Sequence, residues 1–219
     1  MLTIYGAFRS RASRNIWLCY EASIPFKLVP VVQSYRLKGA PPPAGALETQ
    51  SPEFLKINPH GHIPSIDDDG VILHESLAIN LYLAKKNGGL LGPANLGEDG
   101  EMTMWSMWAL CERAGVPAHV ADGGFEAMTL SVAMNGPKPE TLEALKGPFA
   151  QLDKALAETG WLVGGRFTVA DINVAEIVRY AAGAKSLFDA NPNVKKWYDA
   201  CVGRPAYKKM WAEREAEPV

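Results

Sequence analysis

The chain has 219 residues, 47% hydrophobic and 21% charged, with a formal net charge of −2 at pH 7. This is the composition of an ordinary globular protein with room for one large or two small cores. The near-neutral balance argues against a general nucleic-acid or membrane-surface binder, since both need a basic excess. No apolar run approaches the ~20 residues of a membrane span.

Leu2 to Gly6 reads as a short buried strand. Because Met1 leads directly into it without a basic stretch, no signal peptide is expected. Ser10 and Ser13 are both plausible helix caps, and Asn15 to Ala22 has helical apolar spacing. Ile24-Pro25 breaks that helix, and Phe26 to Val32 is a second strand. Strand, helix, strand is the opening of a parallel α/β unit. The connection from Gln33 to Gln50, with Gly39-Ala40-Pro41-Pro42-Pro43-Ala44-Gly45, is long for a compact domain. Ser51-Pro52-Glu53 supplies a cap, an N1 proline and an early acid, so a short helix starts there and ends before Asn58-Pro59. Pro64 belongs at the start of a strand, because it cannot donate a ladder hydrogen bond. An X-Pro bond is also the cheap place for a cis peptide, and Ile63-Pro64 is expected to be cis. Asp67 to Gly70 turn the chain into Val71 to Leu73, and Glu75-Ser76 open a helix running through Leu77 to Lys86.

Asn87-Gly88-Gly89 and Gly92-Pro93 mark a C-cap and a linker, after which strand signals vanish. Helices are expected over Glu98 to Arg113, Pro139 to Thr159, Val169 to Ala184, Val194 to Cys201 and Ala206 to Glu215. The best-signed start is Thr168-x-x-Asp171, a capping box flanked by Phe167 and Ile172 as a hydrophobic staple. The expected layout is a βαβαββα domain over 1–86, a linker over 87–97 and an all-helical domain over 98–219. Cys19, Cys111 and Cys201 are an odd, widely spaced set. They favour a reducing cytosol over a disulfide framework or a zinc cluster. His60 and His62 lack a third ligand nearby, so no metal is expected.

Ser51-Pro52-Glu53-Phe54-Leu55, Asn58-Pro59-x-Gly61-x-Ile63-Pro64, Glu75-Ser76 and Thr168-x-x-Asp171, in this order and spacing, resemble the cytosolic glutathione transferases over nearly the whole chain. The resemblance implies a thioredoxin-like N-terminal domain, an all-α C-terminal domain and glutathione as co-substrate. Glutathione carries a free α-carboxylate and a free ammonium at its γ-glutamyl end. A helix N-terminus suits the carboxylate, Ser76 adds a hydroxyl donor, and Glu75 suits the ammonium. Ser76 also fits a plain helix cap. With Pro64 cis, the backbone of Ile63 is free to pair with the cysteinyl part of the tripeptide as an added strand. The resemblance puts His62 where the family often has Gln. Thr49 and Gln50 stand where many serine-type members carry a His-Lys pair facing the glycine carboxylate. Gln50, Lys38 or Arg36 can take that role.

The reacting nucleophile is then the glutathione thiol, and the protein need only stabilise its thiolate. A free thiol has a pKa of about 8.5, and lowering it by about two units takes roughly 2.7 kcal/mol. A hydrogen bond to a charged acceptor supplies about 1.5–3 kcal/mol and a helix N-terminus about 0.3–1, so one hydroxyl suffices. Phe8-Arg9-Ser10-Arg11-Ala12-Ser13-Arg14 resembles the serine-type transferases around their active serine, which selects Ser10. Tyr5, aligned with the catalytic tyrosine of other classes, is the rival. Arg11-Ala12 in place of Ser-Cys counts against the zeta-type isomerases. Met102 to Cys111 is apolar nearly all round, so Met104, Met107 and Trp108 are candidates for a small hydrophobic electrophile's pocket or for a homodimer face. A non-catalytic binding or scaffold protein, and a glutathione-dependent thiol-disulfide reductase or isomerase, are the alternatives.

Overall fold

The structure, a computed structural model, describes residues 1–112 and 124–217. It consists of two compact units, Met1–Gly89 with Pro205–Val219, and Leu90–Arg204.

The first unit is built on a five-stranded mixed sheet. Strand β1 (Leu2–Gly6) leads through helix α1 (Ala12–Glu21) to the parallel strand β2 (Phe26–Val32), with Ile4 level with Leu28. Strands β4 (Ser65–Asp68) and β5 (Val71–His74) follow as an antiparallel hairpin, with β4 antiparallel to β1 and Ser65 opposite Tyr5. Helix α4 (Ser76–Asn87) closes the motif. The long connection from residue 33 to residue 50 contains two features absent from the sequence reading, a four-residue helix α2 (Ser34–Leu37) and an edge strand β3 (Leu47–Glu48). Among the described residues β3 pairs with Val31 and Val32 of β2, too short a segment to show any period. The full strand order is β3-β2-β1-β4-β5. The short helix α3 (Pro52–Leu55) starts as its sequence indicates, with Ser51 Oγ accepting from the Phe54 amide at 3.3 Å.

Ile4, Ile16, Trp17, Phe54, Ile66, Leu77, Ile79 and Leu83 are buried in this unit. Each large side chain taken from water is worth about 1.5–3 kcal/mol. Helix α11 (Pro205–Ala216) also belongs here, whereas the sequence boundaries assign it to the helical domain. The reason is packing on α1, where Trp17 and Tyr207 meet edge-to-face with centroids 4.9 Å apart. The Tyr20 hydroxyl also donates to Glu213 at 2.5 Å.

The second unit contains α5 (Leu96–Cys111), α6 (Gly124–Asn135), α7 (Pro139–Leu156), α8 (Val169–Val178), α9 (Lys185–Ala190) and α10 (Pro192–Val202). α6 and α9 were not expected. The expected Val169–Ala184 helix stops at Val178, followed by a 3-10 turn over Arg179–Ala181. Arg113, the expected end of α5, lies outside the described residues. Every residue of α8 is buried, the polar Asp171, Asn173 and Glu176 included, so no exposed face marks its period. Phe125, Phe149 and Phe188 link α6, α7 and α9 through ring contacts of 6.0 and 5.4 Å. Among the described residues no helix is long and apolar enough to cross a membrane.

The start of α8 is the capping box read from the sequence. The Thr168 amide donates to Asp171 Oδ2 at 2.8 Å, and the Ala170 amide donates to Thr168 Oγ1 at 3.3 Å. Asp171 Oδ1 also accepts from the Leu162 amide at 3.2 Å and from Trp197 Nε1 at 2.8 Å. Burial pushes the Asp171 carboxyl up to about 6 from 3.8. Between those values the unfolded chain releases the proton while the folded chain holds it, so stability falls as pH rises from about 4 to about 6 and then levels. Asp171→Ala leaves buried donors unpaired, each costing about 1–3 kcal/mol. A loss of about 3 kcal/mol is expected, roughly 6–12 °C of melting temperature in a chain of this size, with that pH slope removed. Thermal melts of both proteins across pH 4–7 check this, and an unchanged midpoint would refute it.

Candidate functional site

Within the first unit, Ser10 lies in the turn into α1, His62, Ile63 and Pro64 in the loop into β4, and Glu75 and Ser76 at the step from β5 into α4, with Tyr5 on β1 and Gln50 just before α3. Gly6 ends β1 against α1, and a Cβ there would meet the Ala12 Cβ at 2.6 Å, so the turn from Ala7 to Arg11 is held tight. Ser10, half-buried, sits in this turn. Its hydroxyl donates to the Ala7 carbonyl at 2.6 Å and accepts from the Ala12 amide at 3.0 Å. Ser10 thus caps the first residue of α1 and stands in the positive field of that helix end. Tyr5, half-buried on β1, is tilted against Phe54 with centroids 6.4 Å apart.

The loop into β4 is organised by Asn58, which is 2% exposed. Its Nδ2 donates to the His62 carbonyl at 2.8 Å and to Ser65 Oγ at 3.1 Å, and its Oδ1 accepts from the His60 amide at 3.0 Å. Gly61 adopts φ 62°, and a Cβ there would run into the Gln50 amide and the Thr49 carbonyl. Only glycine suits both demands. Gln50 and His62 are exposed, and the His62 carbonyl accepts from Asn58. Ile63-Pro64 is cis, as the sequence indicated. Among the described residues neither backbone group of Ile63 takes a partner, and β4 begins two residues later. Thr49 is buried, with its hydroxyl accepting from the Ser34 amide at 3.0 Å. It pins the 33–50 connection rather than facing outward, which leaves Gln50 as the exposed member of that pair. Among the described residues no three His, Cys, Asp or Glu side chains are grouped to hold a metal.

Glu75, exposed, is the N-cap of α4 with φ 67°, the left-handed region that favours glycine. Holding a non-glycine residue there costs about 1–3 kcal/mol and is concentrated at functional positions. Glu75 makes no side-chain cap, and Ser76 is the first residue inside α4 rather than its N-cap. Ser76 is buried, and its Oγ accepts from Arg14 Nη1 at 3.1 Å. A hydroxyl that accepts from a cation keeps its own proton to donate elsewhere.

Sequence reasoning missed Arg14, only 1% exposed, and the polar cluster beside it. Asn15 Nδ2 donates to the Ser76 carbonyl at 2.8 Å and to Asn80 Oδ1 at 2.7 Å, and Asn80 Nδ2 donates to the Arg14 carbonyl at 3.2 Å. The available signal was the Arg14-Asn15 pair inside a helix whose other central residues are apolar.

The electrophile candidates sit on α5 of the second unit, and spacing of three and four residues puts them on one helix face. Met104 and Met107 are 53% and 45% exposed. Trp108 is half-buried and packs on Phe125 at 4.9 Å, with Nε1 donating to Gln151 at 3.2 Å. Its ring is therefore committed to the helical core.

Asn58→Ala removes three loop hydrogen bonds, and about 1–3 kcal/mol of stability is expected to go with them. Retention on immobilised glutathione should weaken in parallel. Full retention would show that the loop needs no such anchor.

Comparison with known proteins places these features in a family context. The family described as Glutathione S-transferase, N-terminal domain, matches residues 8–86, and Glutathione S-transferase, C-terminal domain, matches residues 124–205. A probable glutathione S-transferase of Oryza sativa subsp. japonica is 32% identical over 178 residues, covering 76% of this chain and 80% of that protein. A glutathione S-transferase of Arabidopsis thaliana is 28% identical over 222 residues, covering 95% and 94%. Among solved structures, a glutathione transferase of Populus trichocarpa superposes with TM-score 0.73 at 26% identity, covering 98% of this chain and 99% of that one. A glutathione S-transferase bound with lactoylglutathione gives TM-score 0.73 at 26% identity, covering 97% and 99%.

Proposed function

The chain belongs to the glutathione S-transferase family, and from that premise we propose that it ionises the glutathione thiol with Ser10 and directs it at a small hydrophobic electrophile. The observation that carries the binding half is Ser76 at the start of α4. Its oxygen already accepts from Arg14, so its proton is available to the γ-glutamyl carboxylate. The helix N-terminus adds its own attraction for that anion. Glu75 receives the ammonium, and the backbone of Ile63 beside cis Pro64 pairs with the cysteinyl unit. Gln50, whose side-chain amide lies against Gly61, and His62 next to that glycine serve the glycine end as hydrogen-bonding groups without charge.

For catalysis the Ser10 hydroxyl turns from the Ala7 carbonyl to the sulfur. Ala7 keeps the Ser10 amide as a donor at 3.1 Å, so its carbonyl is not stranded. The exchange trades a neutral hydrogen bond of about 0.5–1.5 kcal/mol for a charged one of about 1.5–3. The net gain of about 1–1.5 kcal/mol lowers the thiol pKa by roughly one unit. The thiolate then attacks the electrophile, the new bond forms at sulfur, and any leaving group departs with its electron pair. Met104 and Met107 are proposed to contribute apolar surface to the electrophile or to a second subunit of a homodimer, with Trp108 as their support. Tyr5 remains the rival donor, since the Ser10 hydroxyl starts out engaged with Ala7.

Ser10→Ala should raise the pH midpoint of turnover by about one unit and cut the rate near neutral pH roughly tenfold, with recovery in alkali. Tyr5→Phe should leave the profile in place. The opposite pattern, read from pH–rate profiles with a general aromatic electrophile, would transfer the role to Tyr5. In calorimetry, Ser76→Ala should weaken glutathione binding by about 1–3 kcal/mol. Unchanged affinity would remove Ser76 from the binding site.

A further inference from the structure

The turn that carries Ser10 is held from outside by groups far away in sequence. Phe8 and Arg9 precede Ser10, and every backbone polar group of the two is taken. Their amides both donate to the Glu217 carboxylate, Phe8 to Oε1 at 2.8 Å and Arg9 to Oε2 at 2.7 Å. The Phe8 carbonyl accepts from Arg214 Nη1, and the Arg9 carbonyl accepts from Arg36 Nη2 at 3.1 Å. The Arg9 side chain reaches back, with Nε donating to the Arg214 carbonyl at 3.0 Å and Nη2 to the Glu215 carbonyl at 3.2 Å. The end of α11 and the turn into α1 thus grip each other in both directions.

We infer that Glu217 is a positioning residue for the thiol chemistry. Its carboxylate, assisted by Arg214 and Arg36, fixes the Phe8–Arg9 backbone and thereby the place from which the Ser10 hydroxyl reaches the sulfur. The inference rests on the reading of Ser10 as the thiolate's donor. Its physical basis is that a free turn samples many conformations, and a hydrogen bond to sulfur depends steeply on distance and angle. Charge-assisted bonds from two consecutive amides to one carboxylate define a single backbone arrangement. Misplacing a catalytic group by about an ångström is enough to lose a large part of a rate.

Electrostatics and positioning predict opposite signs for the loss of this carboxylate. The turn is surrounded by the cations Arg9, Arg36 and Arg214, with Glu213, Glu215 and Glu217 as the acids of the same helix end. Removing the negative charge of Glu217 by itself favours the nearby thiolate and lowers the thiol pKa. Releasing the turn weakens the Ser10 bond and raises it.

The test uses the full chain and four proteins: the unmodified chain, Glu217→Ala, Ser10→Ala, and both together. The Glu217→Ala variant is expected to move the pH midpoint of kcat/KM upward by about one unit and to reduce kcat near neutral pH on the order of tenfold. Its glutathione affinity should stay within about threefold. Because Glu217 acts through Ser10, the same substitution in the Ser10→Ala background should change the rate less than about twofold. Glu217→Gln keeps an acceptor for one amide, so it should fall between the two, and it carries the test if Glu217→Ala does not fold. An unchanged or lowered midpoint, or an equal loss in both backgrounds, overturns the inference. Failure of the underlying reading looks different, because Ser10→Ala itself then leaves the profile where it was, and both proposals fall together.

Discussion

The buried contact between the starts of α1 and α4 is the constraint on which the site depends. Arg14 is a full charge almost without solvent, and such a charge is tolerable only with partners in good geometry. Ser76 Oγ supplies one, and the amides of Asn15 and Asn80 lock the adjoining carbonyls of Ser76 and Arg14. Removing one member strands its partners in a low-dielectric interior, so the members of the cluster depend on one another. Functionally it does one thing. It holds the helix that Ser10 caps at a set distance and angle from the helix that Ser76 opens.

The rest of the cradle follows from loops that are tied down by side chains rather than by regular structure. Asn58 replaces the ladder bonds that the segment before β4 lacks, and so leaves the backbone of Ile63 without an internal claim. Gly61 lets that loop touch the strand-like edge at Thr49 and Gln50. Thr49 in turn ties the long connection to Ser34. Each tie removes conformational freedom before any ligand arrives, which is how a site built on loops acquires defined geometry. The positive φ at Glu75 fits the same pattern, since backbone strain persists only where the surroundings over-determine it.

The helical unit is stabilised by a different device. Asp171 gathers donors from its own helix start, from the preceding loop and from Trp197 on α10, so one carboxylate joins three parts of the unit. Arg166 plays a comparable part by donating to both oxygens of Glu98 and to the carbonyls of Leu90 and Gly92. Both groups hold the fold.

Local chemistry was enough to read much of this. The apolar run of Leu2–Gly6, the break at Ile24-Pro25 before Phe26–Val32, the cap and N1 proline at Ser51-Pro52, the capping box at Thr168-x-x-Asp171 and the proline before β4 all act within a few residues, so the sequence alone specifies them. Other features were legible only in three dimensions, because their partners are distant in the chain. Arg14 became a buried ligand of Ser76 only when α1 met α4, 62 positions apart. Edge strand β3 exists because β2 offers it an open side. The end of α8 was hidden because residues buried on every side carry no amphipathic period. Helix α11 looked like part of a helical domain, since its own sequence does not say which surface it covers, and the contact of Tyr207 with Trp17 assigned it to the sheet unit. The place of Ser10 was decided in both ways. Its identity and capping role are written in the sequence, while its surroundings, from Glu217 to Arg36, required the folded chain, because sequence distance carries no information about which remote carboxylate will meet two free amides.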